Sequence, residues 1–121
     1  MTEDSNPLGS IEISPNAIAT IASQAVLQSY GVVGMASKNV VDGLAQRLTR
    51  DPRHGVEVVM EDGPGAITIH LYIVVEYGTR ISQVAHSAAN SVRFHVERAL
   101  GMPVGDINVH VQGLRVSNPD A

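Results

Sequence analysis

Between Ala66 and Glu76 the side chains alternate in kind. Ile67, Ile69, Leu71, Ile73 and Val75 point one way, and Thr68, His70, Tyr72 and Glu76 point the other. A period of two over this length predicts a long strand with one face toward a core and the other at least partly wet. That arrangement suits an antiparallel or mixed sheet rather than a fully buried parallel one, and it requires a second layer over the apolar face.

The covering layer is read from two stripes of period 3.6. Ser14 offers an N-cap hydroxyl, Pro15 occupies the first helical position, and Ile18, Ile21, Ala22, Ala25 and Val26 follow on one face, with Gly31 as the stop. A longer helix is predicted from about Arg80 to Leu100, capped by Thr79 and closed by Gly101. Its buried stripe is Ile81, Val84, Ala85, Ala88, Val92, Val96 and Ala99, with His95 at the stripe's edge. The spacing Ile18-x-x-Ile21-Ala22-x-x-Ala25 recurs as Ile81-x-x-Val84-Ala85-x-x-Ala88, so the chain reads as two strand–helix–strand halves.

Shorter strands are predicted at Ile11–Ile13, at Val56, Val58 and Met60, and at Ile107, Val109 and Val111. A turn falls at Asp62-Gly63-Pro64-Gly65, and a short helix carries Val40, Val41, Leu44 and Leu48 before the second strand. The expected fold is an α+β two-layer sandwich of order β-α-β-β-α-β. Its four-stranded mixed or antiparallel sheet carries two long helices on one face, because right-handed crossovers put both helices there. One domain, residues 9–116, is expected between tails at 1–8 and 117–121. Its core draws on Val, Ile and Ala, since the chain has one Phe, three Tyr and no Trp.

Much chemistry is excluded. With no cysteine there is neither a disulfide nor a thiolate metal site. The acidic start MTEDSNPLGS does not read as a signal or transit peptide, and no apolar run is long enough to insert into a bilayer. A net charge of −4 argues against non-specific nucleic-acid binding. The local basic stretch Lys38, Arg47, Arg50 and Arg53 reads as a solvated helix face.

Five histidines include no His-Glu-x-x-His spacing, so no metal site is expected, although His70 and His110 fall on solvent-side strand positions where they can be neighbours. No serine sits in a Gly-x-Ser-x-Gly turn and no paired carboxylates lie in an apolar setting. Gly78-Thr79-Arg80 opens a helix where an anion can rest, but it reads first as a cap. No enzyme and no cofactor is expected.

Two features point to binding. Gly31-Val32-Val33-Gly34 stands where a KH domain carries its Gly-x-x-Gly loop, which makes single-stranded RNA binding the alternative function. The two valines lack the usual basic residue, and a packed helix-to-helix turn is the simpler reading. Phe94 lies opposite the core stripe of the long helix beside Arg93 and Arg98, and Leu27 is similarly placed on the first helix. An outward aromatic flanked by arginines is the pattern of an interface anchor. The candidate contact residues are therefore Phe94, Arg93, Arg98, Leu27, Gly31, Val32, Val33 and Gly34.

Several blocks in order resemble the alkaline-shock family of bacterial envelope stress-response proteins. They are Gly9-Ser-Ile-Glu-Ile-Ser, Tyr30-Gly31-Val32-Val33-Gly34-Met35, Gly55-Val56-Glu57-Val58, Ile73-Val-Val-Glu-Tyr-Gly78, Val92-Arg-Phe-His-Val-Glu97, Gly101-Met102-Pro103-Val104 and Ile107-Asn-Val-His-Val-Gln-Gly113. The resemblance spans about residues 9–114. It implies a bacterial cytoplasmic protein without catalytic residues, tied to envelope homeostasis and in some members held at the membrane by a partner. The outward Phe94 points to a homo-oligomer, and the resemblance adds a membrane-anchored or kinase-like protein partner. Where many members carry a Gln and a Thr-Gly in the last helix, this chain has Ala89-Asn90 and Leu100-Gly101, so their partner surface does not transfer directly.

Overall fold

The computed structural model describes residues 12–37, 48–61 and 66–116. The expected turn at Asp62–Gly65 and the helix positions Val40, Val41 and Leu44 lie outside them, as do Ile11 and both tails. The described elements are α1 (Pro15–Leu27), β1 (Val32–Met35), a 3-10 turn (Pro52–Gly55), β2 (Val56–Met60), β3 (Ile67–Glu76), α2 (Ile81–Leu100) and β4 (Ile107–Arg115). Together they form the α+β two-layer fold.

β3 is the axis of a mixed four-stranded sheet. β2 pairs antiparallel with its first half, Ile67 to Leu71, and β1 pairs antiparallel with its second half, Ile73 to Val75. These two strands lie end to end along one edge, while β4 runs parallel along the other, from Ile69↔Ile107 to Glu76↔Arg115. The chain passes between the abutting strands at Gly55. A Cβ there would fall 2.7 Å from the backbone oxygen of Ala36 and 2.8 Å from Cβ of Met35, so only glycine fits the seam.

The expected strand at Ile11–Ile13 is not seen in its described part, since Glu12 to Ser14 have no strand pairing. The fourth strand is instead β1, cut from the stretch read as a Gly-x-x-Gly loop. The reason is tertiary. Gly31 turns the chain at φ +88° and its carbonyl accepts from the Glu76 amide at 2.9 Å, which sets Val32 opposite Val75.

α1 begins as expected, with the Ser14 hydroxyl accepting from the Ala17 amide at 3.2 Å and Pro15 at the first position. It ends at Leu27, four residues before Gly31, because Gly31 opens β1 rather than capping the helix. α2 closes on Gly101 in the left-handed conformation (φ +75°), whose amide reaches the Glu97 carbonyl at 2.8 Å. Its buried line is narrower than the predicted stripe. Val84, Ala88, Val92 and Val96, spaced by four, are buried, whereas Ile81 and Ala99 are exposed. His95 is exposed too, and its Nδ1 bonds the Ser91 carbonyl at 2.8 Å within its own helix.

The two helices cover the odd-numbered face of β3. Ile18, Ala22 and Val26 of α1 and Val92 and Val96 of α2 are fully buried, and they close over Ile69, Leu71, Ile73 and Val75, also fully buried. Each buried Ile, Leu or Val side chain among them contributes about 1.5–3 kcal/mol relative to exposure.

Candidate interaction surfaces

The outer face of α2 carries the first candidate. Phe94 is 56% exposed, the one aromatic of the helix turned away from the sheet. Its ring meets His95 edge-on (centroids 5.2 Å apart, planes at 90°), and the Arg98 guanidinium carbon stands 5.7 Å from the ring centroid. A cation over an exposed ring contributes about 0.5–1 kcal/mol, enough to bias the rotamer without covering the ring.

Arg93 is placed differently from its two neighbours. Its guanidinium donates to the carbonyls of Val104 (3.1 Å) and Gly105 (2.9 Å) and lies 3.4 Å from the Glu97 carboxylate. Glu97 in turn accepts from the Val104 amide at 2.9 Å. The pair therefore clamps the segment between α2 and β4, so Arg93 is committed to holding the fold. Leu27 is 38% exposed at the end of α1. Gly31, Val32, Val33 and Gly34 are drawn into the turn and strand of β1, and Gly34 is covered by Leu48, whose Cδ2 lies 2.9 Å from where a Cβ would stand. As a strand this stretch offers no loop to clamp a nucleotide backbone, so the structure lends the KH-like reading no support.

The expected basic helix face is also redrawn. Arg53 belongs to the 3-10 turn, where Nη2 lies 2.8 Å from Asp51 Oδ2. Its side chain and then its backbone amide hold the Asp51 carboxyl down at about 2. Lys38 and Arg47 lie outside the described residues.

At the start of α2 the Thr79 hydroxyl donates to the Glu76 carbonyl at 2.7 Å instead of capping. The N-cap is Arg80, with no side-chain bond to the helix. A cleft of about 340 Å³ opens beside it, lined by Tyr30, Thr79, Arg80, Gln83 and Ser87 among others. Tyr30 and Tyr77 are 83% and 63% exposed, and the sequence reading singles out neither. Each immediately precedes a positive-φ glycine, Gly31 or Gly78, a turn position that swings its ring outward. A tyrosine placed directly before a turn glycine is the signal that finds them.

The even-numbered sheet face brings Glu57, His70, Tyr72 and His110 together. His70 Nδ1 and His110 Nε2 are 3.1 Å apart, as neighbours on the wet face. The Tyr72 ring stacks on His110 (centroids 4.6 Å, planes at 10°). Burial raises the Tyr72 hydroxyl above its ordinary range, and the charge and hydrogen bond of Glu57 add to the rise. Among the described residues no three histidines or carboxylates converge, and no helix is long and apolar enough to cross a membrane.

Comparison with known proteins gives these surfaces a setting. The chain is 44% identical over 113 residues to YloU of Bacillus subtilis strain 168, covering 92% of each protein. It is 35% identical over 108 residues to Spy1614 of Streptococcus pyogenes serotype M6, covering 89% of each. To YqhY of Bacillus subtilis strain 168 it is 30% identical over 115 residues, which cover 95% of this chain and 84% of that protein. No solved structure matches the chain. Residues 3–116 match the alkaline shock protein 23 family, described as having a cell envelope-related function. The fold, the ordered sequence blocks and this match agree, and the chain belongs to the alkaline shock protein 23 family.

Proposed function

We propose that the chain is a non-catalytic interaction domain with a cell envelope-related function, working through contacts with copies of itself and with protein partners. Phe94 carries this reading. It is the chain's only phenylalanine, it is more than half exposed, and it is bracketed by Arg98 and His95 in a defined pose. Aromatic and arginine side chains together are what protein interfaces concentrate at their centres. A cytoplasmic location, reaching the membrane through an anchored or kinase-like partner, belongs to the same proposal and rests on the family resemblance.

Sedimentation velocity over a concentration series tests it, comparing wild type with Phe94→Glu and following thermal unfolding of both. The expected result is concentration-dependent association in wild type that the variant loses. The variant's Tm should stay within about 3 °C, because an exposed substitution changes stability by about 0.5 kcal/mol or less. A wild-type chain that stays monomeric throughout, or a variant that associates like wild type, overturns the proposal.

A further inference from the structure

The pair His70 and His110 is unexplained by either the core or the α2 surface. The two residues stand on adjacent parallel strands, offset by two positions, since His110 is opposite Tyr72 and His70 is opposite Asn108. Their ring centroids are 5.3 Å apart and their planes differ by 25°. The centroid separation exceeds the 3.1 Å nitrogen separation by nearly the two ring radii. The nitrogens therefore face one another almost head-on, and only one of them carries a proton. Both side chains are half-buried, so both remain open to solvent.

We propose that this pair is a two-imidazole site for a borderline divalent transition metal such as Zn²⁺, which displaces the shared proton and sits to one side of the line between the two nitrogens. Zinc–imidazole bonds of about 2.0–2.1 Å set the two nitrogens about 2.9 Å apart for a right angle at the metal and about 3.4 Å for a tetrahedral one. The observed separation lies between these limits. What must change is direction: each ring tilts so that the two lone pairs converge on one point. The proton count balances without loss from a neutral pair. If His70 is the donor, its proton moves through solvent from Nδ1 to Nε2, His110 keeps its proton on Nδ1, and the two facing nitrogens both become ligands.

A neighbouring group favours a cation here. Glu57 stands opposite His70 across β2 and β3 and places a carboxylate on the same face. Two protein donors leave the remaining coordination positions to water. The sequence expectation of no metal site allowed the two histidines to be neighbours on the sheet but could not supply the 3.1 Å between their nitrogens.

Calorimetric titration of the full chain with Zn²⁺ at neutral pH, paired with long-range ¹H–¹⁵N spectra of the histidine rings, tests the proposal. One zinc is expected per chain. His70→Ala and His110→Ala should each weaken that binding at least about tenfold, while His86→Ala and His95→Ala, both on the exposed part of α2, leave it unchanged. On saturation the spectra should show His70 protonated at Nε2 and His110 at Nδ1. If zinc binding is absent, or survives either sheet substitution, or leaves these ring tautomers unaltered, the site is not as proposed.

Discussion

Gly31 and Val84 are packed so closely that a methyl group on Gly31 would fall 2.6 Å from Cγ2 of Val84. Val84 is only 4% exposed and β-branched, so it has little room to turn aside. Gly31 also holds φ at +88°, which a side chain resists. Gly31→Ala should therefore cost about 2–4 kcal/mol, combining the left-handed penalty with overpacking. Gly101→Ala is the control, because its φ is +75° and nothing lies within 4 Å of its added methyl. It should cost only about 1–2 kcal/mol. Urea unfolding of both variants separates clash from backbone strain, and equal losses would contradict the packing argument.

Arg93 offers a test of geometry against charge. Its fork reaches two carbonyls, those of Val104 and Gly105, and a lysine ammonium does not present that planar fork. Arg93→Ala should cost about 1–2 kcal/mol, discounted because the side chain is 43% exposed. Arg93→Lys should restore less than half of that. Hydrogen exchange at the Gly105 amide, which donates to the Ile67 carbonyl at 2.7 Å, should speed up in both variants. Unchanged protection would mean the segment before β4 is held without the clamp.

These two residues show where sequence reasoning reaches and where it stops. Alternation and the helical stripes expose β2, β3, β4 and both helices, since those signals are written in consecutive residues. β1 is illegible because four residues that follow a turn glycine carry no periodicity, and their strand exists only by pairing with the end of β3. The outward position of Phe94 follows from helical geometry alone. The role of Arg93 does not, because it depends on residues 104 and 105 folding back onto α2. For His70 and His110 the alternation supplies the shared face, while register supplies the contact.

Asp51 should report on acid stability. Its carboxyl is held at about 2 by the Arg53 side chain and amide, against about 3.9 when unfolded. A depressed folded pKa gives stability that is fully present above about pH 4 and is lost as pH falls through about 2. Carbon-detected titration of Asp51 should show its midpoint well below the other aspartates. In Asp51→Asn the acid limb of the stability curve between about pH 4 and 2 should flatten. A midpoint near 3.9 would show that the Arg53 contact does not persist in solution.

The approach of α1 to α2 depends on small side chains. Ala22 and Ala88 are fully buried and Ala25 is 3% exposed, while Ser91 Oγ lies 3.5 Å from the Ala25 carbonyl, joining the two helices across the layer. Ala88→Leu must push the helices apart or force a strained rotamer, at about 1–3 kcal/mol. Ala99→Leu adds the same side chain at an exposed position of the same helix and should change stability by about 0.5 kcal/mol or less. Because the sequence pattern puts Ala99 in the buried stripe, this pair also checks the narrower line Val84, Ala88, Val92 and Val96. Thermal unfolding of the two variants decides it: comparable losses would return Ala99 to the core, and a loss confined to Ala88→Leu fixes which edge of α2 faces the sheet.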